Sequence, residues 1–499
     1  MNKPMKMRKI NMSLRKTRIV SLLLAGLLAL PALSSCGEST ENADGHNESA
    51  PGSVTDSVQA DNPSDAEPSE TALSDGLPDT DYAGYEFRVA YGGDDVNYSI
   101  AEDYTGTPVV DAVRESTLYL ENRFNISVVP VLYENSRTPY TASITAGDNA
   151  FDIMFAADWA AYPMAKDGLF VDMYSVEQFD FSKPWWPDIM LRNLSVCGSM
   201  YCSSNYISYM GIAWTRALFF NKDLAQQLNL PLPYDTVREG AWTLDAMISY
   251  VTGASSDLNG NGRIEASDQI GFTTGSQTWY CLQESVDIPV YRRDADNAPY
   301  LDFDMNRIDT YVSKMRALIG SADFLDAGDF FGVGIFLPGK ALMCYGQLAD
   351  AYASYREADF AYGFLPSPKF DENQSSYINC CTDRPWAIPI TVTGDQLDLV
   401  GTVSEALSCR NYQTVLPVYF ESTMKSRLAD APDDAEMLQI IADTRTTSFS
   451  FAYDLPYQNI LGDLAANADG VGSYFQKNSR MADKSLERLI KAFNKIKGQ

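Results

Sequence analysis

From residue 85 onward the chain alternates between two hydrophobic rhythms. Residues 85–91 (YEFRVAY) form a β-rich run that stops at Gly92-Gly93, a turn signal. Residues 108–125 then place Val110, Val113, Leu120 and Phe124 on one face at helical spacing. Residues 126–133 (ISVVPVLY) are a second β-rich run. Residues 151–156 (FDIMFA) are a third, short and continuously apolar as buried parallel strands are. Strands alternating with helices predict parallel βαβ units, an α/β fold whose ligands bind beyond the carboxyl ends of the strands. That rule puts residues 91–95 and the run Ala157-Asp158-Trp159 at a candidate site.

A second series follows. Residues 214–220 (WTRALFF) read as a strand, after which Asn221 is placed to cap a helix opening at Lys222-Asp223-Leu224. Helical spacing returns at residues 242–251 and at 307–319, where Ile308, Tyr311, Val312, Met315 and Leu318 share a core face. Residues 336–345, 360–365 and 385–392 are further strand candidates. A terminal helix over 483–497 buries Leu486, Leu489, Ile490, Phe493 and Ile496 and turns a basic face to solvent.

The amino terminus follows neither rhythm. Residues 1–36 hold seven Lys or Arg and no acid, and the apolar run 19–30 is too short to span a bilayer comfortably. Its end, Leu33-Ser34-Ser35-Cys36, resembles the bacterial lipobox, in which cleavage ahead of the cysteine is followed by its lipidation. Residues 1–35 are therefore expected to be a lipoprotein signal peptide, and Cys36 the anchor of an extracytoplasmic protein on the outer face of the cell membrane. Residues 37–81 contain twelve acids, no Lys or Arg and few apolar side chains. The stretch 36–82 is expected to be a lipidated, acidic, disordered tether.

Composition narrows the chemistry of the rest. The 499 residues carry 38 Lys+Arg and 66 Asp+Glu, a net charge of −28; setting aside seven basic residues in the signal and twelve acids in the tether leaves a body at −23. So acidic a surface has no footprint for nucleic acid. The single histidine, His46, falls in the tether. Ser-His-Asp hydrolysis, Cys-His proteolysis and histidine-ligated zinc are thereby excluded from the body. Besides Cys36, seven cysteines remain, at 197, 202, 281, 344, 380, 381 and 409. Cys197 and Cys202 are near enough for a local disulfide, and adjacent Cys380 and Cys381 could close only a strained ring. Burial as small hydrophobes is the simpler expectation.

One metal motif is sharper. Residues 257–268 (DLNGNGRIEASD) match the EF-hand loop at positions 1, 3, 5, 6, 8 and 12. This spacing offers hard oxygens from Asp257, Asn259 and Asn261, the Arg263 carbonyl, Glu265 directly or through water, and Asp268. A structural Ca2+ is expected there. Asp in place of Glu at the last position shortens the reach, and the two Asn lower the ligand charge.

Several segments, in order, resemble the bacterial extracellular solute-binding proteins of ABC importers, in particular the sugar-binding group that includes maltose-binding protein. They are AGDNAFDIMFAADWAAYPMAKDGLFVDM (146–173), TRALFFNKDLAQQLNLPLP (215–233) followed by AWTLDAM (241–247), FLPGKALMCYGQL (336–348) and YGFLPSPKF (362–370). The resemblance spans residues 85–400 and loosens beyond. It implies a two-lobed, periplasmic-binding-protein-like (type II) clamp hinged on crossing strands. Lobe one would take residues 83–214 with a return segment at about 360–412. Lobe two would take 215–359, calcium loop included, with C-terminal helices at about 413–499. It further implies a monomeric, non-enzymatic receptor that delivers a carbohydrate to a membrane permease. Sugar clefts combine aromatic faces with hydrogen-bonding side chains, and Tyr91, Asp94, Asp158, Trp159, Trp214, Trp279, Tyr345 and Trp386 lie at strand ends or loops where such a cleft would form. Each large aromatic is equally at home in a core. At Tyr345 the sequence reads Tyr-Gly-Gln where the family has Gly-Pro-Trp. Trp185-Trp186 reads as a pin for an interlobe loop. Two rivals need no histidine: a lipoprotein glycosidase using two carboxylates, and a helical SusD-like glycan-binding lipoprotein, which the strand-rich first half disfavours.

Overall fold

The first strand, Tyr85–Gly92, buries Phe87, Val89 and Ala90 completely and runs parallel to Ile126–Tyr133 on one side and Ile153–Phe155 on the other. The helix Pro108–Phe124 makes the crossover between the first two. Proline at its start fits the fixed φ of a first helical turn, and Asn125 at φ 48° ends it in the left-handed region. Val109 and Val113 are its buried valines and Val110 is only half-buried, one position from expectation. A fourth strand, Trp386–Ala387, returns antiparallel to Ile153–Phe155 and completes the first sheet.

In a computed structural model the chain is described at residues 73–93, 96–275, 278–329, 331–424, 432–465 and 470–498. Cys36, His46, Asp94 and Asp95 lie outside these residues. Glu70–Gln499 forms one compact unit. The end of the expected tether belongs to it: Arg123 pairs with Asp75 at 2.6 Å and Asp79 at 2.7 Å and donates to the Leu77 carbonyl. Asn125 Nδ2 donates to Asp81 at 2.7 Å. The body therefore begins at least as early as Leu73 rather than at 83, because acids that composition alone reads as solvated meet an arginine here.

The second sheet has five strands in the order Tyr362–Leu365, Arg216–Asn221, Ala341–Gln347, Ile270–Thr274, Phe324–Asp326. Arg216–Asn221 runs antiparallel to both of its neighbours, and the last three strands are parallel. Asn221 caps Lys222–Gln227 through its side-chain oxygen, 2.9 Å from the Leu224 amide. The helix Met305–Ile319 buries the five residues its spacing predicts. The expected strand over 336–345 is corrected: Val333–Phe336 is a short helix, and the strand starts at Ala341 after Gly339 turns at φ +72°. Tyr362–Leu365 pairs in this second sheet, so the passage back to the first lobe lies beyond it, at Trp386–Ala387.

Long helices close the structure. Asp395–Met424 packs along Pro108–Phe124. Val471–Lys497 is longer than expected, burying Leu486, Leu489 and Phe493 and leaving Lys484, Arg488, Lys491 and Lys495 exposed. No helix among the described residues is long and apolar enough to cross a membrane. All seven described cysteines are free, and all but Cys197 are buried. Trp185 and Trp186 are core residues, not an interlobe pin. Their indole N–H groups donate to the two oxygens of Glu405, each at 2.8 Å, and Trp186 packs on Phe179, Phe181 and Trp386.

Candidate functional site

Where the chain crosses between the sheets, two segments lie side by side. Thr215 bridges to Cys381, and the Thr382 amide donates to the Trp214 carbonyl at 3.4 Å. The loop after Ile153–Phe155 joins them: the Ala156 amide donates to the Pro385 carbonyl and the Asp158 amide to the Asp383 carbonyl, both at 3.3 Å. These segments line a cavity of about 380 Å³. The first lobe contributes Asn135, Asp158 and Trp159, the crossing segments Trp214, Arg216 and Thr382–Arg384, the second lobe Tyr280 and Phe331, and the C-terminal region Phe451. A larger recess of about 840 Å³, bounded by Trp186, Tyr377, Tyr412 and Phe420, shares no residue with it and touches none of the strand-end loops. The expectation for α/β sheets therefore selects the smaller cavity.

Aromatic faces and charged groups alternate around its wall. Trp159 is 54% exposed at the start of the helix Asp158–Lys166. Trp214 is half-buried with the Arg384 guanidinium 5.8 Å from its ring centre, and Arg384 donates to Asn135 Oδ1 at 2.9 Å. Tyr280 and Phe451 stack at 4.2 Å and 6°. The Arg216 guanidinium lies 4.8 Å from the centre of the Phe331 ring. Asp158 accepts from the Trp159 amide at 2.7 Å. Burial pushes its carboxyl up to about 6, Asp383 adding to the rise while the Trp159 amide, Arg384 and Arg216 oppose it. Burial also raises Asp383, against the pull of Arg445.

Four further predicted residues are placed elsewhere. Trp279 packs on Phe324 at 5.9 Å. It starts the helix Trp279–Ser285, and the turn of that helix sends its neighbour Tyr280 to the cavity instead. Tyr345 is fully buried in mid-strand with its hydroxyl 3.1 Å from Ser367 Oγ. Trp386 is buried with its indole donating to Asn205 Oδ1 at 2.8 Å. Tyr91 is half-buried near the end of the first strand and does not line the cavity. Asp158, Trp159 and Trp214 are brought together. Sequence reasoning passed over Arg216, although a charge inside the apolar run TRALFF was a signal. Phe451 had no local signal, since its partner Tyr280 is remote in the chain.

The loop 257–268 curls inward on its own amides. Asp257 accepts from Gly260 at 2.7 Å and Gly262 at 2.6 Å, Asn259 Oδ1 from Asn261 at 3.0 Å, and Asn261 Oδ1 from Arg263 at 2.9 Å. Gly262 sits at φ +79°, which a side chain rarely adopts. Asp268 is fully buried and accepts from Leu258 and Glu265, each at 3.0 Å. Among the described residues no three His, Cys, Asp or Glu side chains converge as a metal cluster. Two of the six expected donors are Asn and one is a carbonyl, so the acids by themselves do not make the set.

Three buried carboxyls tie stability to pH in one direction. Burial raises Glu405 to about 7, against its indole donors, and raises Asp158 and Asp350 to about 6. A carboxyl whose folded pKa exceeds its unfolded one stabilises fully below the unfolded value and loses that contribution as pH rises through the folded value. Stability is therefore expected to fall by about 5 kcal/mol between pH 5 and pH 8, about half of it from Glu405, one pKa unit being worth about 1.4 kcal/mol. Urea midpoints at pH 5, 6.5 and 8 measure this, and a midpoint that climbs with pH contradicts it.

No protein-family model and no curated protein sequence matches the chain. Solved structures do: the chain has the type II periplasmic-binding-protein fold of ABC-importer solute-binding proteins. An ABC substrate-binding protein of Listeria monocytogenes, Lmo0181, in complex with cycloalternan superposes with a TM-score of 0.51 at 11% identity, over 82% of this chain and 99% of that one. A cyclo/maltodextrin-binding protein complexed with maltotetraose gives 0.51 at 15% identity, over 85% and 98%. UspC of M. tuberculosis gives 0.52 at 14%, over 82% and 100%.

Proposed function

We propose that the protein is a receptor of an ABC importer, anchored to the membrane by lipid on Cys36, that closes its lobes on a mono- or oligosaccharide and hands it unchanged to a permease. The observation that carries this reading is the interlobe cavity, where Trp159, Trp214, Tyr280 and Phe451 meet Asp158, Arg216 and Arg384. Pyranose C–H faces pack on such rings while hydroxyls exchange hydrogen bonds with carboxylates and guanidinium groups. Residues from both lobes and both crossing segments meet here, so hinge closure and ligand contact are one event. Two of the structural neighbours are complexes with cycloalternan and maltotetraose, the same chemical class.

A sugar that binds only the folded state must raise the melting temperature. Thermal-shift measurements across mono- and oligosaccharides are expected to give a positive shift with at least one. Hydrolysis of a chromogenic glycoside, with no shift from any sugar, would instead favour Asp158 and Asp383 as a glycosidase pair.

We propose further that residues 257–268 hold a structural Ca2+ through Asp257, Asn259, Asn261, the Arg263 carbonyl, Glu265 and Asp268. The inward set of side-chain oxygens and the turn at Gly262 support this. Chelation is expected to lower the melting temperature by about 2–4 °C, restored by calcium. Asp257→Ala should lose that response, and an unchanged melting temperature with no metal bound would overturn it.

A further inference from the structure

Arg216 opens the first crossing strand and lines the interlobe cavity with 1% of its surface exposed. Its guanidinium bonds to neutral groups: Nη1 donates to Gln347 Oε1 at 2.8 Å and Nη2 to Thr382 Oγ1 at 3.5 Å. Nε finds no acceptor. The acidic groups whose field reaches it are the Cys281 thiol, the Tyr280 and Tyr345 phenols and Asp350, and Asp158 feels it in turn. Neither carboxylate forms an ion pair with it, and burial has pushed both up to about 6. A buried cation without an ion pair is costly, and truncating it would be the cheaper way to build a plain core.

We propose that the solute is an acidic sugar, a uronic acid or an oligomer of uronic acids, whose carboxylate is received by Arg216. The proposal rests on the receptor reading above and names the substrate class of the same cavity. A guanidinium offers its Nε–H and the adjacent Nη–H as a planar fork that matches a carboxylate in two parallel hydrogen bonds. Here Nε is unused and Nη2 holds only the long contact to Thr382. Ring faces for the pyranose stand in the same wall, at Trp214 and Tyr280. A sugar phosphate shares the anionic chemistry, but a dianion would face repulsion from Asp158 and Asp383 in that wall. A monoanionic carboxylate suits one fork.

Titration calorimetry and thermal shift on the whole protein test this with galacturonate, glucuronate and oligogalacturonates. The comparators are galactose, glucose, the methyl ester of galacturonate and glucose 6-phosphate. The acid is expected to bind at least tenfold more tightly than its parent hexose or ester, and Arg216→Gln to remove that preference. Should Arg216→Gln fail to fold, the acid-against-ester comparison on the unaltered protein still decides. Equal binding of acid and ester, tighter binding of the phosphate, or a preference surviving in Arg216→Gln would each overturn the inference. Neutral sugars that bind without preference for the acid would do so and leave the receptor reading standing. Silence with every sugar, acidic and neutral, would overturn both.

Discussion

Glu405→Ala is expected to lower the free energy of unfolding by about 3–5 kcal/mol, the combined scale of two stranded buried donors and the cavity left among them. Glu405 lies in the helix Asp395–Met424, fully buried, and its two oxygens each accept one indole N–H, from Trp185 and Trp186, at 2.8 Å. The Asp180 amide is a third donor at 3.4 Å. Deleting the carboxyl strands two buried indole donors, each costing about 1–3 kcal/mol, and leaves a cavity among large aromatic rings. Glu405→Gln keeps the volume and one acceptor but sets its amide hydrogens against the second indole. It should cost less, and it should flatten the fall in stability between pH 5 and pH 8. Urea denaturation with an unchanged slope measures both variants. A loss below about 1 kcal/mol for the alanine variant would show that water or a neighbouring acceptor replaces the carboxyl.

Trp159→Ala is expected to weaken sugar binding by about 10- to 100-fold, about 1.4–2.8 kcal/mol, with little change in melting temperature. The separation of the two effects follows from placement. Trp159 is 54% exposed at the cavity wall, so little core packing depends on it. Trp214→Ala should weaken binding as much but also lower the melting temperature, because Trp214 is half-buried and carries the Arg384 guanidinium at 5.8 Å. Calorimetry on the two variants checks this. Unaltered affinity in Trp159→Ala would remove that ring from the site, leaving Trp214, Tyr280 and Phe451 as its aromatic wall.

The sequence alone was enough for whatever depends on near neighbours in the chain. Continuous apolar runs marked the strands of the first lobe, and spacing identified the buried face of Met305–Ile319 residue by residue. Asn221 was legible as a cap because capping is a contact across three residues. Asp158 and Trp159 were legible because a strand's carboxyl end can be read from where its apolar run stops.

What local pattern could not decide is which aromatic packs and which faces the cavity. Trp279 and Tyr280 are adjacent, yet helical rotation sends one to Phe324 and the other to Phe451. Tyr345 and Trp386 are chemically as fit for a sugar as Trp159, but strands on both sides bury Tyr345, and Phe179 and Trp186 cover Trp386 on its edge strand. Likewise, the acids at 75–81 looked like tether until Arg123 met them from the far end of a helix. The protein's acid balance and its alternation of strand and helix were set by composition and period. The cavity was set by tertiary structure, since Asp158, Arg216, Tyr280, Arg384 and Phe451 come from five separate stretches of chain that only the crossing strands bring together.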